Sequence, residues 1–218
     1  MSDLAHQSAY WDAAAGTARF TQPLDVTRLR RFLHSTSRVL DYGCGYGRLL
    51  KTLADNGFVG VTGLDISRAM ARRAKDSNPE ASVTVYDGGS APYRDHSFDA
   101  VLLFAVLTCV PRDDDQRSLL AEVRRLLVPG GFVFVNDFLL HSDARNRERY
   151  DLYEKRFGTR GIFAIPGDAV VRHHSRDWIR KLVEPFETLA WSEFEATTMN
   201  GNAASGFRFV GRSSGGEE

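Results

Sequence analysis

Three glycines at alternate positions behind an aspartate set the strongest constraint on this chain. The run Val39-Leu40-Asp41-Tyr42-Gly43-Cys44-Gly45-Tyr46-Gly47-Arg48 starts apolar, passes through Asp41 and then turns glycine-rich. Leu49, Leu50 and Leu53 follow at helical spacing, so the segment reads as strand, tight loop, helix. Glycines there let backbone approach a ligand that any Cβ would obstruct. A second apolar run, 59–64, ends at Asp65. An acid at the end of a second strand suits the two hydroxyls of a ribose. A nucleoside-bearing ligand in a doubly wound fold is the implied class.

The rest of the chain continues the pattern. Apolar runs at 38–41, 59–64, 82–86, 98–104 and 132–136 alternate with expected helices at 48–56, 68–77 and 113–127. Short connections between them predict a β-α-β-α-β-α-β-α-β order and a parallel sheet covered on both faces. Ser67 stands where a helix N-cap belongs, and Gly57 where a helix stops. Residues 1–34 read as an amphipathic helical arm with Tyr10, Trp11, Phe20 and Leu24 as anchors. Residues 138–175 read as a polar insertion with glycine-rich turns, and 176–183 as a helix. Runs at 187–196 and 206–211, joined by Met199-Asn200-Gly201-Asn202, predict an antiparallel hairpin. A single domain over 1–212 and a disordered tail over 213–218 complete the expected layout.

Bulk composition narrows the partners. Lys plus Arg and Asp plus Glu are 28 each, so the formal net charge is zero. No overall field draws the chain to nucleic acid or an anionic membrane. No leader pattern or bilayer-length apolar run is read, and a cytoplasmic location is the expectation. The 2 cysteines, Cys44 and Cys109, lack metal-ligand spacing and read as small apolar fillers. No metal is expected.

These residues resemble the class I S-adenosylmethionine-dependent methyltransferases. Asp41-Tyr42-Gly43-Cys44-Gly45-Tyr46-Gly47 is similar to the family's D-x-G-C-G-x-G loop. Leu64-Asp65-Ile66-Ser67 is similar to its ribose segment, and Asp87-Gly88-Gly89-Ser90-Ala91-Pro92-Tyr93 to its adenine segment. Ser97-Phe98-Asp99-Ala100-Val101 and Leu126-Leu127-Val128-Pro129-Gly130-Gly131 complete the order. The resemblance implies a Rossmann-like, seven-stranded α/β sheet, mostly parallel, with a C-terminal antiparallel hairpin. It implies S-adenosylmethionine as cofactor and S-adenosylhomocysteine as product. Asp41, Gly43, Cys44, Gly45, Asp65, Ile66, Asp87, Gly88 and Phe104 become the expected cofactor contacts.

Expectations for the acceptor side rest on less. The arm would fold over the cofactor with Tyr10 and Trp11 as lid aromatics. Asn136, Asp137 and Arg172 are expected to bind substrate, and His141, His173 and His174 to supply a base or a polar wall. Family members often carry histidines just after strand four, where this chain has Val106-Leu107-Thr108-Cys109-Val110. The Gly161–His174 stretch, followed by Trp178-Ile179, also resembles methyltransferases acting on the imidazole nitrogen of thiol-substituted histidines. A small-metabolite acceptor with an N, O or S nucleophile is the leading expectation, without nucleic acid or membrane. Its alternatives are a catalytically inactive cofactor-binding partner protein and a nicotinamide-dependent dehydrogenase. The even glycine spacing disfavours the dehydrogenase.

Overall fold

The computed structural model describes the backbone of residues 2–167, 169–197 and 201–214. Met199 and Asn200 of the expected turn, and 215–218 of the expected tail, lie outside the described residues. Ser213, read as tail, is the buried last residue of a strand.

Seven strands form one sheet: β1 (Arg38–Tyr42), β2 (Gly60–Asp65), β3 (Ser82–Val85), β4 (Phe98–Phe104), β5 (Leu127–Phe138), β8 (Phe186–Thr197) and β9 (Ala203–Ser213). Their spatial order is β3-β2-β1-β4-β5-β9-β8. The pairs among β1 to β5 are parallel, and β9 runs antiparallel to both β5 and β8. The doubly wound sheet with its closing hairpin is therefore as expected. After β1 the chain steps outward through β2 and β3, then returns to place β4 on the other side of β1. A topological switch point of this kind opens a crevice at the carboxyl ends of the strands.

Strand β4 shows why the sheet is central. Ala100, Val101, Leu102 and Leu103 have no exposed surface. Val101 and Leu103 pack with Leu119, Leu120 and Val123 of α5 (Asp113–Leu126) and Ile179 of α7 (Arg176–Val183). Ala100 and Leu102 pack on the opposite face with Leu29, Leu33, and Leu49 and Leu53 of α3 (Arg48–Asp55). Burial of such large side chains stabilises by about 1.5–3 kcal/mol each. Ser67 caps α4 (Arg68–Ser77), its Oγ accepting the Met70 amide, as its sequence position implies.

Four expectations are corrected. No helix joins β3 to β4: residues 86–97 form an irregular crossover, because Gly88, Gly89 and Pro92 interrupt any helical run. Arg125 holds that crossover by donating to the carbonyls of Ala91 and Tyr93 and to Asp95. Strand β5 starts at Leu127, with Pro129-Gly130-Gly131 forming an irregularity inside it. The arm is helical only over α1 (Ser2–Ala14) and the short α2 (Val26–Leu29). The polar stretch 138–175 contains α6 (Ala144–Phe157) and a hairpin of β6 (Ile162–Ala164) and β7 (Val170–Arg172). Asp143 caps α6 and Gly158 ends it with φ +71°. Only Asn146 and Tyr150 of α6 are buried, so its apolar period is too sparse to read. No helix among the described residues is long and apolar enough to cross a membrane.

Candidate functional site

The glycine loop is built from backbone bonds to its neighbour strand. The amides of Gly43 and Cys44 donate to Leu64 O at 2.7 and 3.0 Å. Asp65, 7% exposed, accepts the Gly45 amide at 2.7 Å and the Ser67 amide at 2.8 Å. One carboxylate thus fixes both the glycine loop and the start of α4. Gly45 has φ +54°, and a Cβ there would collide with the ring of Phe20. Gly45→Ala is therefore expected to destabilise the fold by about 1–2 kcal/mol from the left-handed backbone alone. Displacing Phe20 adds to this, and a lowered melting temperature with weaker cofactor binding is the check.

The arm lies across this loop. Phe20 stacks on Tyr46 with centroids 4.9 Å apart, and its amide donates to Tyr46 Oη at 3.0 Å. Asp12 accepts from Ser67 Oγ at 2.5 Å and from the Ala69 amide at 2.9 Å. Ser8 Oγ donates to Ile66 O at 3.1 Å, and Gln7 Nε2 to Val170 O at 2.5 Å. Helix α1 therefore bridges the end of β2 and the hairpin β6–β7.

Between them lies a cavity of about 740 Å³, within the range of ligand sites. Its wall includes Asp41, Gly43, Cys44, Gly45, Asp65, Ile66, Gly88 and Phe104 from the expected cofactor set. Tyr10, Trp11 and His173 from the expected acceptor set also line it. Asp87 does not: it is exposed and accepts the Gly89 amide at 3.1 Å, a turn aspartate. Gly88, Gly89 and Ser90 line the wall in its place.

Several acceptor-side expectations need correction. Arg172 is 4% exposed and turned away from the cavity, donating to Pro111 O at 2.9 Å and Asp113 Oδ1 at 2.5 Å. Asp137 points into the protein, accepting the amides of Thr108 at 3.2 Å and Phe138 at 2.8 Å; burial lifts its pKa to about 7. Asn136 lines a separate small void. His141 lies outside the cavity wall, bonded to Asp143 at 2.5 Å. His174 has no exposed surface: its Nδ1 donates to Phe138 O at 3.0 Å, and its Nε2 accepts from Gln116 at 2.8 Å. Residues 172 and 174 point to the side of the strand that α5 covers, away from His173.

His173 does face the cavity. Tyr150 Oη takes the His141 amide at 3.3 Å and the Arg149 guanidinium on its lone pairs, which assigns its own O–H to His173 Nδ1, 2.6 Å away. This leaves the His173 proton on Nε2. Desolvation, with Arg149 nearby, holds the His173 pKa down to about 3; desolvation does the same for His174. Neither is an effective base near neutral pH. The unfolded-state value is about 6.5, so each histidine's contribution is complete above that and is lost as pH falls toward 3. His174→Gln is expected to destabilise most at pH 7. The gap to the parent should shrink by about 1.4 kcal/mol per pH unit below 6.5, as read by denaturant unfolding at pH 7 and 5.

Other residues here escaped sequence reasoning. Gln22 lines the cavity with neither side-chain polar atom bonded. Arg48, Arg145, Arg149 and Tyr153 also line it. Asp41, 2% exposed, has Oδ2 buried without a partner, and burial lifts its pKa to about 7 despite Arg48. Burial pushes the Cys44 and Cys109 thiols up, so they are fillers rather than thiolates.

Comparison with known proteins agrees with this geometry. A family model described as a methyltransferase domain matches residues 40–135. The chain is 34% identical over 139 residues to 27-O-demethylrifamycin SV methyltransferase of Amycolatopsis mediterranei, covering 60% of this chain and 50% of that protein. It is 32% identical over 128 residues to tRNA (carboxymethyluridine(34)-5-O)-methyltransferase of Arabidopsis thaliana, covering 57% and 30% respectively. The chain thus matches half or less of the length of these relatives. A crystal structure of a SAM-dependent methyltransferase from Methanosarcina mazei superposes with a TM-score of 0.82 at 24% identity, over 89% of this chain and all of that one. Residues 40–135 thus match the methyltransferase-domain family, and the fold is that of the solved SAM-dependent methyltransferase.

Proposed function

We propose that this protein is a class I methyltransferase that binds S-adenosylmethionine as cofactor and transfers its methyl group to a small-molecule nucleophile seated in the cavity beneath α1, α6 and the β6–β7 hairpin. The observation that carries this reading is the cavity itself, which joins the glycine loop to the arm and to residues 145–173 in one enclosure. The residues present fit the cofactor. Asp65 lines the cavity and retains lone pairs for ribose hydroxyls. Asp41 has an unpartnered buried oxygen suited to an ammonium. When bound, the cofactor supplies a methyl group on a positively charged sulfur.

The chain's own part is to orient the acceptor and exclude water. With the His173 pKa near 3, proton removal by this residue contributes little, which favours acceptors already presenting a lone pair. Amines, thiolates and imidazole nitrogens, including those of thiol-substituted histidines, are such acceptors.

A second reading, RNA as acceptor, draws support from the Arabidopsis relative, whose name describes a tRNA methyltransferase. Incubation with methyl-labelled cofactor tests both. Label is expected in small amine, thiol or imidazole acceptors and absent from total tRNA. Label in tRNA alone would replace the small-molecule reading. Cofactor binding without label in either would favour the inactive binding partner.

A further inference from the structure

Helix α6 contributes part of the cavity wall, including two arginines. Arg145 and Arg149 both line the cavity. Neither has an ion-pair partner among the described residues, although Arg38, Arg125, Arg160, Arg172 and Arg176 all do. Arg149 lies with its guanidinium carbon 3.6 Å from the Phe163 ring centroid, and its Nε is buried without a hydrogen-bond partner. The Arg149 guanidinium, held over a ring and hydrogen-bonded to Tyr150 but with no ion-paired carboxylate among the described residues, keeps donors for an anion.

A third donor stands beside it. The Tyr150 O–H occupies His173 Nδ1, so the imidazole presents Nε2–H, which has no protein partner among the described residues. The His173 ring is itself fixed edge-on to Phe163, centroids 5.0 Å apart. Around these donors the wall is apolar: Phe138, Phe163 and Ile165.

We propose that the methyl acceptor carries a carboxylate or phosphate joined to a flat apolar body, with the anionic oxygens bound by Arg145, Arg149 and His173 Nε2–H. This rests on the methyltransferase reading above and names the acceptor class of the same cavity. Arg172, the arginine that the sequence singles out, is neutralised by Asp113 and takes no part. The anionic group would serve as an anchor, leaving the nucleophile at the opposite end of the molecule to meet the methyl group.

The test uses protein saturated with S-adenosylhomocysteine, titrated with aromatic probes. These are 4-hydroxybenzoate, 4-aminobenzoate, indole-3-acetate, imidazole-4-acetate and phenyl phosphate, with the amide of each carboxylate as its neutral counterpart. At least one anion is expected to bind about tenfold or more tighter than its neutral counterpart, as a charge-assisted pair implies. Carboxylates binding before phenyl phosphate would identify a carboxylate anchor, and the reverse a phosphate anchor. In Arg149→Met, which keeps an apolar contact to Phe163, that preference should fall to about twofold or less, and Arg145→Ala should reduce it. Binding of S-adenosylhomocysteine should be unchanged in both variants, which also reports their folding. Equal affinity for acids and amides, or no binding of any anion, would overturn the proposal. Lost S-adenosylhomocysteine binding in a folded Arg149→Met would overturn it too, by assigning the guanidinium to the cofactor. Failure of the parent protein to bind S-adenosylhomocysteine would instead strike the methyltransferase reading.

Discussion

Asp65→Ala is expected to weaken S-adenosylhomocysteine binding by about 1.5–3 kcal/mol, roughly 10- to 150-fold. Two losses coincide at this residue. The ribose hydroxyls lose a charged acceptor, and the amides of Gly45 and Ser67 lose the oxygen that positions them. Asp65→Asn is a sharper test, because its NH₂ group would face one of those two amides, donor against donor. It should bind nearly as poorly as the alanine variant. Calorimetric titration of both, with circular dichroism to confirm folding, reads the effect. Unchanged affinity in a folded variant would remove Asp65 from the site.

The largest stability effect is expected at Gln116, the side chain that organises the far wall. It is wholly buried on α5. Its Nε2 lies 3.0 Å from Leu107 O, 2.7 Å from Val110 O and 2.8 Å from His174 Nε2, while its Oε1 accepts from Trp178 Nε1 at 2.6 Å. These contacts set the 3₁₀ turn Leu107–Cys109 that follows β4 and so place Thr108 and Cys109 at the cavity. Gln116→Leu preserves volume but strands these buried groups, each at a cost of about 1–3 kcal/mol. A loss of about 3 kcal/mol or more is expected, lowering the melting temperature by about 6–12 °C. Gln116→Glu should also destabilise, since it trades the donating NH₂ for a buried acid facing two carbonyls. A shift under about 2 °C for Gln116→Leu would contradict the role given to this network.

What was legible in the chain follows from where the physics is local. The run 39–48 fixes strand, loop and helix within ten residues, because Gly45 and Gly47 need positive φ and Leu49, Leu50 and Leu53 need one buried face. The same holds for Ser67 capping α4 and for β4, apolar throughout except at Asp99. The far wall was illegible because its meaning is tertiary. Adjacent histidines 173 and 174 look alike in sequence, yet the chain just past β7 sends one to the cavity and the other to Gln116. Arg172 shares the buried side with His174 and finds Asp113 there. Arg145 and Arg149 sit on a helix whose surface is almost wholly polar, so no hydrophobic period announced it. Nothing local separates them from Arg147, which does not line the cavity.

The central claim is that the cavity behind Asp41, Gly45 and Asp65 holds S-adenosylmethionine. Calorimetric titration of the purified protein with S-adenosylhomocysteine, with NADH as control, tests it most directly. The account predicts one site per chain with micromolar or tighter affinity for S-adenosylhomocysteine and no heat of binding from NADH. No binding of S-adenosylhomocysteine, or comparable binding of NADH, would contradict it.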